Sequence, residues 1–377
     1  MRLDIFSVGL ALGYLTAHAV ADEVDDLAAQ ALEIRRAYDA EIGGERTCTL
    51  ENATVRREWS TLSADERKDY INAVLCIQSK DPIWPQTEVP GVRSRYDDFV
   101  ALHILQTQNP TIHGTANFLG WHRYYVWAYE KALRDECGYT GYQPYWNWGK
   151  YADDPITNPM FDGSDTSMSG NGEATEHGDV QIAPGVVVPS GTGGGCVTEG
   201  PFKNMTVNLG PMAPMMPDLE PNGDGLSYNP RCLRRDISPI VSSAFTKISD
   251  IVELITTKDT ILDFQNFMQG EPRLGSLGVH GGGHYTISGD PGGDFYVSPG
   301  DPAFYFHHSQ IDRVWWIWQN FDPAYRLHNV EGVTSQFDPS ARNGTVDDPT
   351  DLGYLGDSLP LGELLSTTDG IFCYIYE

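Results

Sequence analysis

Seven of the ten histidines stand in two groups, His103, His113 and His122 in one and His280, His284, His307 and His308 in the other. No other feature restricts the fold as much, because imidazoles that share a metal centre must be brought together by the chain that separates them. In Tyr96, Phe99, Val100 and His103 the histidine completes a stripe at i, i+3, i+4 and i+7, the spacing of one helix face. His122 shares a face with Phe118, Trp121 and Tyr125 in the same way. A single inward histidine is ordinarily a hydrogen-bonded core residue. Two on separate helices, with His113 just ahead of the second, point instead to a ligand set.

His280 and His284 are one helical turn apart, so both imidazoles fall on one side. Gly281, Gly282 and Gly283 between them each cost about 1 kcal/mol against alanine in a helix. Packing or a metal must hold that turn, and the missing side chains leave room beside it. In the run from Ser298 to Trp316, Pro302 suits the first turn of a helix. His308 then has Phe304 four residues before it and Asp312 four after it on its own face. Helical geometry does not exclude His307, so one of the pair is the ligand and the other a buried neighbour. Six imidazoles with no obligatory carboxylate or thiolate suit copper better than zinc or non-haem iron. A zinc-protease H-E-x-x-H would need glutamate where Gly281 stands, and an iron facial triad would need a carboxylate in the cluster.

Helical periodicity runs through residues 24–38, 60–77, 93–106, 118–134, 242–256 and 302–319, with Ser-Ala-Asp-Glu at 63–66 as a helix start. These segments predict a mainly helical core. Between Gly149 and Pro239 the chain is polar and rich in Gly, Pro, Ser and Asp, the composition of irregular loop. The histidine groups flank it, so it reads as a long excursion from one bundle, and residues 22–377 as a single domain.

The beginning of the chain reads as a secretory signal: Arg2, an apolar run from Ile5 to Ala17, then Ala17-His18-Ala19 or Ala19-Val20-Ala21 as a cleavage site. The signal peptide would span residues 1–19 or 1–21. No later stretch approaches the roughly 20 apolar residues that cross a bilayer, so no membrane partner is expected. Six cysteines, Cys48, Cys76, Cys137, Cys196, Cys232 and Cys373, fit three disulfides. Cys48 with Cys76 is the expected pair, since they bracket one helical segment. Asn52, Asn204 and Asn343 open glycosylation sequons that fit the same route. Fifty-two acidic against 25 basic residues give a net charge of −27, which repels nucleic acid and anionic membrane and favours small neutral or cationic partners.

These residues resemble those of the short fungal tyrosinases and catechol oxidases, the polyphenol oxidases with a type 3 binuclear copper site. The resemblance runs from Arg57-Glu58-Trp59-Ser60-Thr61-Leu62-Ser63 to Cys373-Tyr374-Ile375-Tyr376. It is most specific in His113…Trp121-His122-Arg123-Tyr124-Tyr125…Glu130 and in Asp301-Pro302-x-Phe304…His307-His308…Asp312-Arg313. It implies a four-helix bundle carrying two copper ions, with long irregular loops and few short strands. Copper A would be held by His103, His113 and His122, and copper B by His280, His284 and His308. Tyr374-x-Tyr376 resembles the end of the family's catalytic domain, with no C-terminal lid domain after it. Thr111 stands where many fungal members have a thioether-forming cysteine, and Gly281 where strongly monophenolase-active members often have asparagine. Glu271 is the candidate for the water-positioning glutamate, with Gln269 competing for the role. Tyr285 and Val297 fall at substrate-side and gate positions. Arg123 and Asp312 are expected to meet between helices and to support the ligands.

The implied activity is oxidation of o-diphenols, and of o-aminophenols, to o-quinones, with O2 reduced to water and weak or lagging monophenol hydroxylation. The partners would be a small phenol and O2, and the enzyme would be secreted. The alternatives are an efficient monophenolase and, more remotely, a dioxygen-binding or copper-storage protein.

Overall fold

The computed structural model describes residues 22–271, 275–336, 338 and 340–377. The expected signal segment lies outside the described residues. Helix starts follow capping chemistry. Helix α1 (Glu23–Ile42) opens at Asp22, whose carboxylate accepts from the Val24 and Asp25 amides while Asp25 returns a contact to the Asp22 amide. Helix α2 (Ala64–Ser79) opens on the reciprocal pair Ser63 and Glu66, a capping box in the sense of. It therefore starts four residues later than periodicity suggests, and Trp59–Thr61 form a separate 3-10 turn capped by Glu58. Helix α3 (Arg95–Gln108) uses Ser94 and Asp97 in the same way. Helix α4 (Phe118–Cys137) stops at Gly138, which adopts the left-handed φ of 71° that glycine tolerates.

The single helix expected over 242–256 is instead two, α5 (Pro239–Phe245) and α6 (Ile248–Thr257). Between them Thr246 leaves helical geometry at φ −126°, and its hydroxyl donates back to the Ser242 carbonyl. Helix α7 (Ile261–Gln269) was not expected. Its buried residues Ile261, Phe264, Gln265 and Met268 nonetheless carry the i, i+3, i+4, i+7 signature, and Thr260 caps it. Helix α8 (Gly278–Ile287) contains the glycine-rich turn, and α9 (Ala303–Asn320) the histidine pair.

Every residue of α9 is buried, so this helix is the axis of the molecule, packed by α1, α4, α6 and α8. Two charged side chains inside it need partners, since an unpaired buried charge is very costly. Arg313 donates to Asp25 of α1 at 2.7 Å and to the Glu377 carbonyl at 3.1 Å. Asp312 accepts from Arg123 of α4 at 2.6 Å and from the hydroxyls of Tyr374 and Tyr376, each at 2.6 Å, with Arg56 at 3.5 Å. Arg56 in turn donates to Glu130 of α4 at 3.0 Å. The tyrosines arrive because Tyr374–Tyr376 pairs in parallel with Thr54–Arg56. The expected meeting of Arg123 and Asp312 is thus present, inside a larger network that ties both chain ends to the central helix.

Three disulfides form, but Cys48 does not pair with Cys76. The bonds are Cys48–Cys373, Cys76–Cys137 and Cys196–Cys232. The 16 residues of α2 span about 24 Å at 1.5 Å each, which carries Cys76 away from Cys48 toward the end of α4. The parallel strand pair brings Cys373 beside the segment that follows Cys48. The stretch from Gly149 to Pro239 is irregular as expected. It is stiffened by short antiparallel pairs, among them the hairpin Val180–Ala183 with Val186–Val188. That hairpin shares a small apolar cluster with Met215, Val241 and Leu277, apart from the main core. Asn52, Asn204 and Asn343 are all exposed. Among the described residues no helix is long and apolar enough to cross a membrane.

Breaking a buried ion pair on one side costs about 3–5 kcal/mol, whereas losing one neutral hydrogen bond costs about 1 kcal/mol. Replacing Asp312→Asn should therefore lower the thermal unfolding midpoint far more than Tyr374→Phe does. Equal midpoints by calorimetry would show that Asp312 is not the anchor of α9.

Candidate metal centre

Histidines reach one region from α3, α4, α8 and α9 and from the loop between α3 and α4. His103 on α3 hydrogen-bonds the Tyr296 carbonyl through Nδ1 at 2.7 Å, and His122 on α4 the Phe118 carbonyl through Nδ1 at 2.8 Å. A carbonyl can only accept, so both Nδ1 atoms carry the proton and both Nε2 atoms keep a lone pair. Those Nε2 atoms are buried without a partner among the described residues. His113 joins them from the loop, its ring centroid 5.2 Å from His103 and 5.1 Å from His122. Its backbone is held from α7, where Gln269 Oε1 accepts from the Gly114 amide at 2.8 Å.

In the second group the Nε2 atom of His284 lies 3.2 Å from that of His280 and 3.1 Å from that of His308. Three ring nitrogens therefore converge on one point. His307 behaves differently, since its Nδ1 accepts from the Trp148 indole N–H at 3.1 Å. Its ring also fills the space above Gly283, where an added Cβ would lie 2.3 Å from the ring atoms. The two groups face each other, with His122 and His308 stacked at 4.4 Å and 10°. Phe304 packs beside both, 4.2 Å from His308 and 5.5 Å from His103.

Burial dominates the electrostatics. It pushes His103 down to about 4 and His284 down to about 3, and it holds the other five well below the usual imidazole range. All seven rings are neutral at neutral pH. Unpartnered neutral imidazole nitrogens in two tight sets, each with its candidate ligand atoms within 4.8 Å of one another, fit a pair of borderline-soft metal ions.

The site opens to solvent through a cleft of about 250 Å³ whose lining includes His113, His280, His284, Gly281, Tyr285 and Phe295. Gly281 and Tyr285 are thus both part of the lining. Burial pushes the Tyr285 hydroxyl up to about 12, with the Asp294 carboxylate adding to the effect. Val297 does not line the cleft. It is fully buried against Gly210, and Phe295, 4.6 Å from His113, lies in the lining instead. Glu271 is exposed and outside the lining, while Gln269 is within it. The amide of Gln269 is spent, with Nε2 donating to the Gln265 carbonyl at 3.1 Å. Among the described residues Asp312 bonds no histidine, so its support acts through the placement of α4 and α9.

The family described as "Common central domain of tyrosinase" matches residues 93–321. The chain belongs to the tyrosinase family. Tyrosinase P of Aspergillus terreus is 40% identical over 335 residues, covering 85% of this chain and 91% of that one. The tyrosinase-like protein orsC of Emericella nidulans is 42% identical over 305 residues, 76% of this chain and 79% of its own. Among solved structures, a polyphenol oxidase (mutant G292N) from Thermothelomyces thermophila superposes with a TM-score of 0.87 at 43% identity, covering 94% of this chain and 98% of that one. The tyrosinase-family fold is therefore shared throughout, and the protein is an oxidase of the tyrosinase and polyphenol oxidase class.

Trp148 and Phe295 carry no ligand-like signal in the sequence. Each acts on a histidine remote in the chain, which no local pattern reports. In this tyrosinase-family site the glycines of α8 are not equivalent. A Cβ at Gly283 collides with His307, whereas at Gly281 it meets only Leu277 Cβ at 3.3 Å and the Tyr285 ring at 3.9 Å. Overpacking costs about 1–3 kcal/mol, and alanine gains about 1 kcal/mol over glycine in a helix. Gly283→Ala should lower the unfolding midpoint and Gly281→Ala should leave it nearly unchanged. The reverse order in thermal melts would contradict the packing described.

Proposed function

We propose that this chain is a secreted binuclear copper oxidase that converts o-diphenols to o-quinones with reduction of O2 to water, and hydroxylates monophenols poorly. His103, His113 and His122 hold one copper and His280, His284 and His308 the other. The convergence of the His280, His284 and His308 Nε2 atoms carries this reading. His307 is left out because Trp148 occupies its acceptor nitrogen and Gly283 its ring. Two coppers held there would pass electrons in pairs, so that two catechols, each giving up two electrons and two protons, reduce one O2 to two waters.

The chain's own residues set the rest. The hydrogen bonds from His103 and His122 to backbone carbonyls fix which nitrogen faces the metal. Phe304 and Phe295 keep water from the ligands. The diphenol preference follows from what the lining offers a substrate proton. Tyr285 stays protonated, and Gln269 is spent on Gly114 and Gln265. Asp294 is occupied by backbone amides, and Gly281 has no side chain. Among the described lining side chains beyond the ligands, none is a free base that could take a monophenol's proton. Three disulfides, the exposed sequons and the signal-like start support the secretory route.

Copper content separates the ligand assignment from its neighbour. His308→Ala should hold about one copper per chain and lose turnover, while His307→Gln should keep two by metal analysis. Loss of copper from both variants would reassign the ligand. Gly281→Asn should raise kcat on a monophenol relative to the matched catechol, because the added amide can hold a water. A wild-type protein that turns over both substrates equally would sink the diphenol preference.

A further inference from the structure

Walls of the cleft that lie outside the histidine helices form two groups. The hairpin and the residue just before α8 contribute apolar Ile182 and Leu277. From α7 and the loop after α9 come Asn266, which is exposed, and Gln336, which is half-buried, and neither side-chain amide is engaged by another described residue. Gln336 is held in place, its own amide donating to the Pro110 carbonyl at 2.7 Å. Its side chain lies over Gly114, next to His113, where an added Cβ would meet it at 3.0 Å. Among the described residues, and apart from histidines and Tyr285, the one ionisable lining residue is Asp294. Its carboxylate accepts from the Met212, Ala213, Tyr296 and Val297 amides at 2.7–3.3 Å and has nothing left for a ligand.

We propose that this cleft selects catechols whose ring substituent is neutral and hydrogen-bonding, an amide or hydroxyl, over those ending in a carboxylate or an ammonium, with Asn266 and Gln336 as the selecting residues. The proposal rests on the diphenol-oxidase reading and names its substrate class. A primary amide offers both donors and an acceptor, so two of them satisfy a substituent amide without leaving a charge unpaired. A carboxylate finds no cation in the described lining and meets a protein of net charge −27. An ammonium meets one lining carboxylate, Asp294, whose oxygens are already taken by four backbone amides, and otherwise gains only a distant attraction, screened beyond about 8 Å at physiological salt. Asp263 and Glu271, the acids flanking this end of α7, are exposed and outside the lining. At about 250 Å³ the cleft lies just under the roughly 300–1,000 Å³ of drug-sized sites, which suits one ring with one short arm.

The test uses the copper-loaded full chain and three catechols with the same two-carbon arm at position 4, ending in acetamide, ammonium or carboxylate, beside unsubstituted catechol. The acetamide should have the lowest KM, by roughly five- to tenfold for the one or two added hydrogen bonds, at similar kcat. Asn266→Ala and Gln336→Ala should each raise that KM several-fold and leave both constants for plain catechol unchanged. An equal or lower KM for the ammonium or carboxylate arm overturns the proposal, as does an equal rise for plain catechol. Calorimetric binding of the matching phenyl compounds, which lack both hydroxyls, reads the same selectivity without turnover. If catechol is not oxidised, the oxidase reading fails on its own, and the calorimetric order still decides the selectivity.

Discussion

A carboxylate buried in the most enclosed helix sets the terms for the rest of the molecule. A carboxylate this deeply buried needs hydrogen-bonding partners, and the fold gives Asp312 the side chains of Arg123, Tyr374, Tyr376 and, at longer range, Arg56. Each comes from a different part of the chain: Arg123 from α4, Arg56 from the strand before α2, and the tyrosines from the last strand. Arg123 follows His122 directly, and His308 precedes Asp312 by one turn. The ion pair that satisfies the buried charge therefore also fixes the register of α4 against α9, and that register stacks His122 on His308 at 4.4 Å. Folding energetics and metal geometry share one contact. The Cys48–Cys373 bond, just outside the parallel strands, closes the same junction covalently.

Much of this was legible because it is local. Stripe spacing located α3, α4 and α9, the i, i+4 pair located the α8 turn despite its glycines, and the capping residues Ser63 and Glu66 marked where α2 starts. Two of the misses share a cause, in that each depends on a contact between segments far apart in the chain. Cys48 was matched with Cys76 by nearness in sequence, whereas a helix length separates them and a strand pairing delivers Cys373. Val297 was placed at the gate by position, yet Gly210, a loop residue, lies directly against it. The break at Thr246 follows from one hydroxyl turning back on the backbone, a competition with helix that periodicity does not weigh. Helix α7 is the exception, since its stripe was readable; at nine residues it is shorter than the segments that periodicity marks most clearly.

His307 and His308 show how little a side chain's identity says about its role. Both are buried, both are neutral, and both lie among the same rings. What separates them is which nitrogen is already in use: Trp148 donates to one ring, and the other is left pointing at His284. Gly283 belongs to the same arrangement, since only a residue without Cβ lets the His307 ring occupy that space. The glycines of α8 thus divide into one that admits a structural ring and one, Gly281, that leaves the cleft open.

The two halves of the site have different mechanical origins. Five of the proposed ligands sit on helices locked to the core, and the sixth, His113, on a loop braced by Gln269. The walls come from the 180–188 hairpin with its small separate cluster, from α7, and from the loop after α9. Loop-borne walls on a rigid scaffold can change without disturbing what the scaffold holds. A substitution at Ile182, Asn266 or Gln336 touches no ligand contact and no part of the Asp312 network, so substrate choice can drift while the metal geometry is conserved by packing. Gly281 is a lining position where the two halves meet, because it lies on a ligand-bearing helix and borders the cleft. A side chain added there has to be accommodated by both.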